Sequence, residues 1–296
     1  MVPLPQGGRQ EISDNVLECV VNVSEGADSA LLGRLVSACG RSLLDVHSDS
    51  SHNRSVLTLG GEGGVVGEAA RALAAAALEL LDLRGHAGAH PRFGVVDVVP
   101  WVALEGWPLR DPLPGTQPQP CPERALQARD DFATWAADHL GLPVFLYGPE
   151  RSLPEVRRGA WRSLMPDLGP GRPHPTAGSV AVGCRPLLVA YNLWLAQADL
   201  ALANEVARAV RSPLVRALAF PLSDGVQVSC NLLSPLTLGP AAIWDEVSEM
   251  AAVEHAELVG LIPESVLTAT PQERWAQLGL APNCTIESRL LRTGHF

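Results

Sequence analysis

The sequence predicts an α/β (α+β) protein made of two ferredoxin-like βαββαβ subdomains, with mixed or antiparallel sheets that face a central cleft. Apolar runs of strand length alternate with segments of helical period in the order βαββαβ, and this order occurs twice along the 296 residues. The chain is 47% hydrophobic, so each half can bury a core. We expect subdomains over residues 14–178 and 179–296, with a ligand site between them.

The first half supplies six elements and an extension. Apolar residues recur at helical period in two segments, and the second segment is rich in alanine. The predicted elements are a strand over 16–23, a helix around 31–39, strands over 42–46 and 55–59, a helix over 64–83 and a strand over 94–104. A helix over 123–140 and an edge strand over 144–147 follow, and residues 148–178 are expected to form a long irregular connection.

The second half repeats the order without any residue-level repeat. Its predicted elements are a strand over 186–195, a helix around 198–210, strands over 215–222 and 226–233, a helix around 243–251 and a strand over 257–262. Thr270-Pro271-Gln272-Glu273 has the pattern of a capping box and predicts a last helix that ends at Gly279.

The charge and composition exclude several classes of protein. The net charge of −10 argues against nucleic acid and anionic membranes as partners. All 22 basic side chains are arginine, so Schiff-base chemistry and a P-loop lysine are excluded. We see no apolar run of about 20 residues and no signal peptide, so we expect a cytoplasmic protein.

The six cysteines do not form CxxC pairs. Cys19, Cys39, Cys184 and Cys230 lie in apolar periodic segments, which is typical of reduced core thiols. We therefore expect neither a disulfide framework nor a metal site.

His86-Ala87-Gly88-Ala89-His90 offers two histidines four residues apart. The flanking glycines and Pro91 disfavour the regular helix that a metal pair would need, and two surface histidines on a loop are a plain alternative. A third interpretation is a general base: Pro91 makes the chain after His90 rigid, and Arg92 adds an anion donor.

Two further loops are candidates for ligand binding. Residues 45–54 link two predicted strands with mainly polar side chains, and Arg54 could bind a carboxylate. The glycine-rich run at 60–64 follows a strand and opens a helix, but its spacing does not match a phosphate-binding loop, so a flexible turn is the simpler interpretation.

Several motifs resemble those of the formiminotransferase domain of glutamate formiminotransferases, in order and with similar spacing. The matching segments are Glu18–Gly26 (ECVVNVSEG), Leu43–Val56 (LLDV, then HNRSV), His86–Pro100 (HAGAHPRFGVVDVVP), Pro143–Gly148 (PVFLYG), Ala190–Asn192 (AYN), Gln227–Leu233 (QVSCNLL) and Glu257–Pro263 (ELVGLIP).

The resemblance implies a transferase that moves the formimino group of N-formimino-L-glutamate to tetrahydrofolate, a step of histidine degradation and one-carbon metabolism. It places the catalytic histidine, a general base, at His90. It places folate binding on the loop formed by Gly169, Pro170, Gly171, Arg172, Pro173, His174, Pro175, Thr176, Ala177 and Gly178. Tetrahydrofolate would be a co-substrate, and a homodimer is expected by analogy.

The expected substrate contacts follow from the chemistry of this donor. Its carboxylates suit Arg54 and Arg92, and Asn22 and Ser24 could supply polar contacts. Asp45, or alternatively Asp97, could stabilise the amidinium.

The sequence also departs from the family pattern. Ala89 and His47 replace family carboxylates, and Thr176-Ala177 replaces a Ser-Trp pair found in some members. Two alternatives therefore stay open: a related one-carbon or acyl transferase with another donor, and a folate-binding homologue without catalysis. The resemblance covers no cyclodeaminase domain, so that step is expected to need another protein.

Overall fold

The computed structural model describes residues 15–104 and 121–294. Within these ranges the first sheet has the order β2-β3-β1-β4-β6-β5 and the second the order β10-β7-β9-β8. The strands are β1 (Val16–Val23), β2 (Leu43–Asp49), β3 (Arg54–Glu62), β4 (Val96–Ala103), β5 (Val144–Tyr147), β6 (Val180–Cys184), β7 (Val189–Leu195), β8 (Val215–Leu222), β9 (Gly225–Leu232) and β10 (Val253–Val259).

The helices connect these strands in two repeats of the same order. They are α1 (Ser29–Ala38), α2 (Gly63–Leu80), α3 (Glu123–Leu140), α4 (Leu153–Gly159), α5 (Leu200–Ala209), α6 (Pro240–Ser248), α7 (Glu264–Ala269) and α8 (Ile286–Thr293). The order β1-α1-β2-β3-α2-β4 and the order β7-α5-β8-β9-α6-β10 both give the ferredoxin-like strand arrangement. The predicted fold class is therefore confirmed.

The first sheet is mixed, because β6 lies parallel to both β4 and β5 while the other pairs are antiparallel. Its alternate side chains divide between two faces. Cys19, Val21 and Leu57 join the core under α1, α2 and α3. On the opposite face, α4 packs on β5 and β6, and α8 packs on β2.

The middle of this second face of the first sheet faces the second subdomain. His47 Nε2 on β2 lies 3.4 Å from Glu257 Oε1 on β10. Glu257 in turn accepts a 3.0 Å hydrogen bond from Asn192 on β7. The second sheet is antiparallel and buries its other face, including Tyr191 and Val228, under its own helices. Two polar sheet faces thus meet, and hydrophobic contacts from Ile286 and Leu290 in α8 close one end.

The strand β6 bears on the predicted boundary between the subdomains, which was placed after Gly178. This strand lies beyond Gly178 yet hydrogen-bonds between β4 and β5 in the first sheet. A five-residue buried run beside a long loop carries no period that distinguishes strand from coil. We therefore propose that the division between the subdomains follows Cys184.

Three helical predictions were wrong. The connection over 148–178 contains α4, which begins with a capping box between Ser152 and Glu155. Residues 270–279 do not form the predicted capped helix: the Thr270 hydroxyl donates to the Val266 carbonyl of α7 at 2.9 Å, and only Gln272–Arg274 forms a 3₁₀ turn. Finally, α6 ends at Ser248, short of the predicted end at residue 251, and Met250 beyond it is 38% exposed.

Two buried carboxyl groups lie where α8 approaches the first sheet. Glu18 of β1 and Glu287 of α8 are both buried, and Glu287 Oε2 accepts a 2.8 Å hydrogen bond from the Glu264 backbone. Within residues 15–104 and 121–294, Glu287 Oε1 has no hydrogen-bond partner. Burial raises the pKa of each group from 4.5 to about 7.

We expect Glu287→Gln to increase the free energy of unfolding at pH 8 by about 2–3 kcal/mol. The folded protein holds this proton up to pH about 7, whereas the unfolded chain releases it near 4.5. The wild type therefore loses stability as the pH rises through this window, and the variant should not. Urea unfolding at pH 4.5 and pH 8 would measure the difference. Glu254 is exposed, so the control Glu254→Gln should have only a small effect on the free energy of unfolding at either pH. An effect of Glu287→Gln that is the same at both pH values would contradict the prediction.

Candidate functional site

The His90 ring is held in one tautomer at the end of the cleft. Its Nδ1 lies 2.7 Å from the Pro91 carbonyl oxygen, which can only accept, so Nδ1 carries the proton. Nε2 then keeps a lone pair. Phe220 of β8 stacks on the ring with centroids 5.6 Å apart, and His52 meets it edge-on at 5.8 Å. This geometry leaves a neutral imidazole that can accept a proton.

The surroundings of His90 strongly favour its neutral form. Burial first, and then the positive charges of Arg54 and Arg157, lower its pKa from 6.5 to about 3. The carboxylate of Asp97 and the bond to Pro91 oppose this shift but do not outweigh it. The free site therefore contains an unprotonated base across the neutral range.

A buried ionic network supports the loop that carries His90. The Asp97 carboxylate is fully buried and binds Arg54, Arg157 (2.8 Å) and the Phe93 backbone N–H (2.9 Å). Asn22 Oδ1 accepts from Arg54 at 2.9 and 3.2 Å. The two guanidinium groups lower the pKa of Asp97 to about 2 despite its burial. The network links β1, β3, β4 and α4, and so brings the predicted residues Asn22 and Arg54 together with Asp97.

Arg157 is a member of this site that sequence reasoning missed. It lies on α4, donates to the Pro91 carbonyl at 3.2 Å and places its guanidinium carbon 5.1 Å from the centroid of the Phe93 ring. The Pro91 carbonyl thus receives hydrogen bonds from both Arg157 and His90. The capping box at Ser152 and Glu155 is the sequence signal that could have revealed this helix.

We expect Arg157→Gln to raise the pKa of His90, because it removes a positive charge that disfavours the imidazolium. An NMR titration of the His90 ring toward acid pH should show a higher midpoint in the variant than in the wild type. The neighbouring exposed Arg158→Gln is the matched control and should leave the midpoint in place. Equal midpoints in Arg157→Gln and the wild type would argue against this electrostatic role.

Arg92 folds back on its own loop. It donates to the His90 carbonyl at 2.7 Å and to the His52 carbonyl at 3.3 Å, and it contacts the His86 ring. Arg92 therefore ties the His90 loop to the turn between β2 and β3.

Ser24 and Asp45 are placed differently from the other predicted substrate contacts. The Ser24 hydroxyl is buried and donates to the Gly94 carbonyl at 2.8 Å. Asp45 pairs with Arg289 of α8 at 3.4 Å. Ser24 thus joins β1 to the chain before β4, and Asp45 lies beside the contact between His47 and Glu257.

The end of the predicted folate loop, residues 169–178, lies beside the chain that follows His90. Val95 N–H donates to the Ala177 carbonyl at 3.0 Å, and Ser179 N–H donates to the Phe93 carbonyl at 2.7 Å. Gly178 has φ +73°, and a Cβ there would lie 2.2 Å from the Phe93 oxygen. This close approach requires glycine.

The first part of this loop is open to solvent and its end is packed. Residues 169–173 are exposed, whereas Ala177 is buried. His174 Nδ1 accepts from the Ala177 backbone N–H at 3.0 Å and closes the loop. The exposed half can contact a ligand while the anchored half fixes its position relative to His90.

A separate cavity of about 380 Å³ lies on the other side of the first sheet, between α2 and α3. Its lining includes Gly63, Arg71, Trp101 and Asp131, and none of the predicted site residues. Across the described ranges, no group of three or more His, Cys, Asp or Glu is arranged to hold a metal ion. In the same ranges no helix has the length and apolar character needed to cross a bilayer.

Known proteins resemble this chain over most of its length. A family model described as the formiminotransferase domain, N-terminal subdomain, matches residues 16–185. A glutamate formimidoyltransferase of Streptococcus pyogenes serotype M1 is 35% identical over 283 residues, covering 85% of this chain and 90% of that protein. One from Thermoplasma acidophilum is 32% identical, covering 86% and 90%. A formimidoyltransferase-cyclodeaminase of Gallus gallus is also 32% identical, and the match spans 51% of its length.

Proposed function

The chain belongs to the formiminotransferase family, and on this premise we propose that it transfers the formimino group of N-formimino-L-glutamate to tetrahydrofolate. The observation that carries the proposal is the neutral His90, whose Nε2 lone pair lies at the cleft between the subdomains, beside the loop over 169–178. The reaction belongs to histidine degradation and one-carbon metabolism, and we place it in the cytoplasm.

His90 acts as the general base in this reaction. A secondary amine of tetrahydrofolate attacks the amidine carbon, and its proton passes to Nε2 of His90. The bond between the amidine carbon and the glutamate nitrogen then breaks, and that nitrogen takes up the proton as the amine leaves. The bond from Nδ1 to Pro91 holds the ring in the tautomer that this step requires.

The substrate contacts are assigned as proposals. We assign Arg54 to a donor carboxylate, assisted by Asn22 and by the nearby Arg157. A carboxylate bound there would offset the positive charges that depress the pKa of His90, and so strengthen the base. Arg92 and Ser24 support the loops around the site, and Asp45 is left as a polar contact farther along the cleft.

The folate loop and the other partners follow the family. We assign residues 169–178 to tetrahydrofolate, which serves as a co-substrate, and we expect a homodimer. Thr176 and Ala177 offer no aromatic surface, so the exposed glycine and proline residues would contact the folate.

One observation favours a different donor. His47 stands where the family has an aspartate, and it pairs with Glu257 across the cleft. The pair of His47 and Glu257 would suit a donor substrate whose transferred group differs from the one that an aspartate at this position would bind.

A spectroscopic transfer assay tests the proposal. Purified protein is mixed with tetrahydrofolate and N-formimino-L-glutamate, and the formimino-folate product is followed, with each substrate omitted in turn. Turnover that needs both substrates supports the proposal. Folate binding without turnover would instead favour another donor or a non-catalytic homologue, and turnover with a different formimino or formyl donor would separate these two.

A further inference from the structure

We propose that His52 and Gln227 form a substrate-recognition pair that binds a planar group with an N–H donor and a lone-pair acceptor side by side. The pair rests on the proposed function, because it lies beside His90 in the same cleft. His52 lies in the turn between β2 and β3, and Gln227 lies on β9. Each subdomain therefore supplies one member.

The two side chains satisfy only half of each other's hydrogen-bonding capacity. His52 Nε2 lies 3.3 Å from Gln227 Oε1, while His52 Nδ1 and Gln227 Nε2 have no hydrogen-bond partner among the residues that the structure describes. Because the amide oxygen accepts, Nε2 of His52 donates, so Nδ1 is a vacant acceptor and Gln227 Nε2 a vacant donor. Turning the amide around exchanges the two roles and still leaves one donor and one acceptor.

Burial makes these vacant groups costly. His52 is 8% exposed and Gln227 is 0% exposed, so bulk solvent barely reaches either side chain. A purely structural role does not explain this arrangement, because the one hydrogen bond between the side chains is offset by two unpaired buried groups that apolar side chains of similar shape would avoid. A ligand that offers the complementary edge would satisfy both groups at once, which is how polar specificity is commonly built into a site.

The position of the pair is suited to a reacting group. The His52 ring lies 5.8 Å from the His90 ring and 5.1 Å from the Phe220 ring, centroid to centroid. The two hairpins that enclose it also meet through a hydrogen bond between the exposed Ser51 and Ser223 hydroxyls, at 2.6 Å. Such an exposed bond contributes little, so the hairpins can part to admit a ligand edge beside Phe220.

Both substrates of the proposed reaction can present the required edge. The pterin lactam of tetrahydrofolate places an N–H next to a carbonyl, and the formimino group, once its amidinium has released a proton, places an N–H next to an imine nitrogen. The two sources share one chemistry, and the Michaelis constants distinguish them. A higher KM for tetrahydrofolate assigns the pair to the pterin, and a higher KM for the donor assigns it to the formimino group.

The decisive variant is the double substitution His52→Phe with Gln227→Met, which replaces both members by apolar groups of similar shape. We expect its Tm to equal or exceed that of the wild type, because the vacant polar groups are gone. We expect the KM of one substrate to rise about tenfold or more, because two buried hydrogen bonds to it are lost. Ser51→Ala is the control at the same hairpin contact and should leave both constants unchanged.

A structural role predicts the opposite pattern. A lower Tm with both KM values unchanged would overturn the proposal. Calorimetric titration of tetrahydrofolate and of N-formimino-L-glutamate into the wild type and the double variant gives a readout that does not need turnover. If the wild type binds the substrates but does not turn them over, the proposed reaction fails and the recognition pair is still tested. A higher Kd in the double variant would then support the pair, and an unchanged Kd would overturn it.

Discussion

Replacing His90 with glutamine is expected to lower kcat by about 10²–10⁴-fold, the usual contribution of a general base. Glutamine can keep the hydrogen bond to the Pro91 carbonyl and fill most of the ring's space, but it cannot take up a proton. Steady-state kinetics with both substrates would measure the loss. The KM for tetrahydrofolate should change little, since the loop over 169–178 is anchored by the backbone bonds of Val95 and Ser179.

A matched substitution separates the base from a general effect of removing histidine. His139 lies at the exposed end of α3, away from the cleft, so the variant His139→Gln should keep full turnover. A loss of less than about threefold in His90→Gln would mean that another group takes the proton.

Asp97→Asn is expected to lower the free energy of unfolding by about 3–5 kcal/mol at pH 7, because it leaves the guanidinium groups of Arg54 and Arg157 without their carboxylate. The Arg54 side chain is only 12% exposed, so water cannot replace the lost partner well. Urea unfolding of both proteins would give the difference. Turnover should fall as well, since Asp97 supports the Phe93 backbone and opposes the low pKa of His90.

The pH dependence of this effect has a definite sign. The pKa of Asp97 is lowered from 3.8 to about 2, so its stabilising charge is present above pH 3.8 and is lost as the pH falls toward 2. The difference between wild type and Asp97→Asn should therefore shrink below pH 4. A difference that stays constant down to pH 2 would argue against the ionic network as its cause.

Asp245→Asn is the control for burial. Asp245 makes a 2.7 Å ion pair with Arg274, but its side chain is 60% exposed. Removing that pair should change stability by about 1 kcal/mol or less. If Asp97→Asn and Asp245→Asn lowered the free energy of unfolding equally, the buried network would contribute no more to stability than an exposed ion pair.

The sequence by itself determined the fold class and the position of the main strands and helices. Strand alternation in β1 and the helical period of α2 both depend on which neighbouring side chains are apolar, so they can be read locally. The motif around His90 also offered a base on a rigid loop as one of three interpretations, because Pro91 restricts the backbone whatever the rest of the chain does.

Only the tertiary structure decided how the site is assembled. The β6 strand lies parallel between two strands from distant parts of the chain, and no local pattern gives that pairing. Arg157 comes to Asp97 from 60 residues away, and Gln227 comes to His52 from 175 residues away. The pKa of His90 and the unpaired groups beside it follow from these long-range contacts. Arg54 and Arg157 come close to His90 only once the first subdomain has folded, and Phe220 and Gln227 join them only once the second subdomain has packed against it.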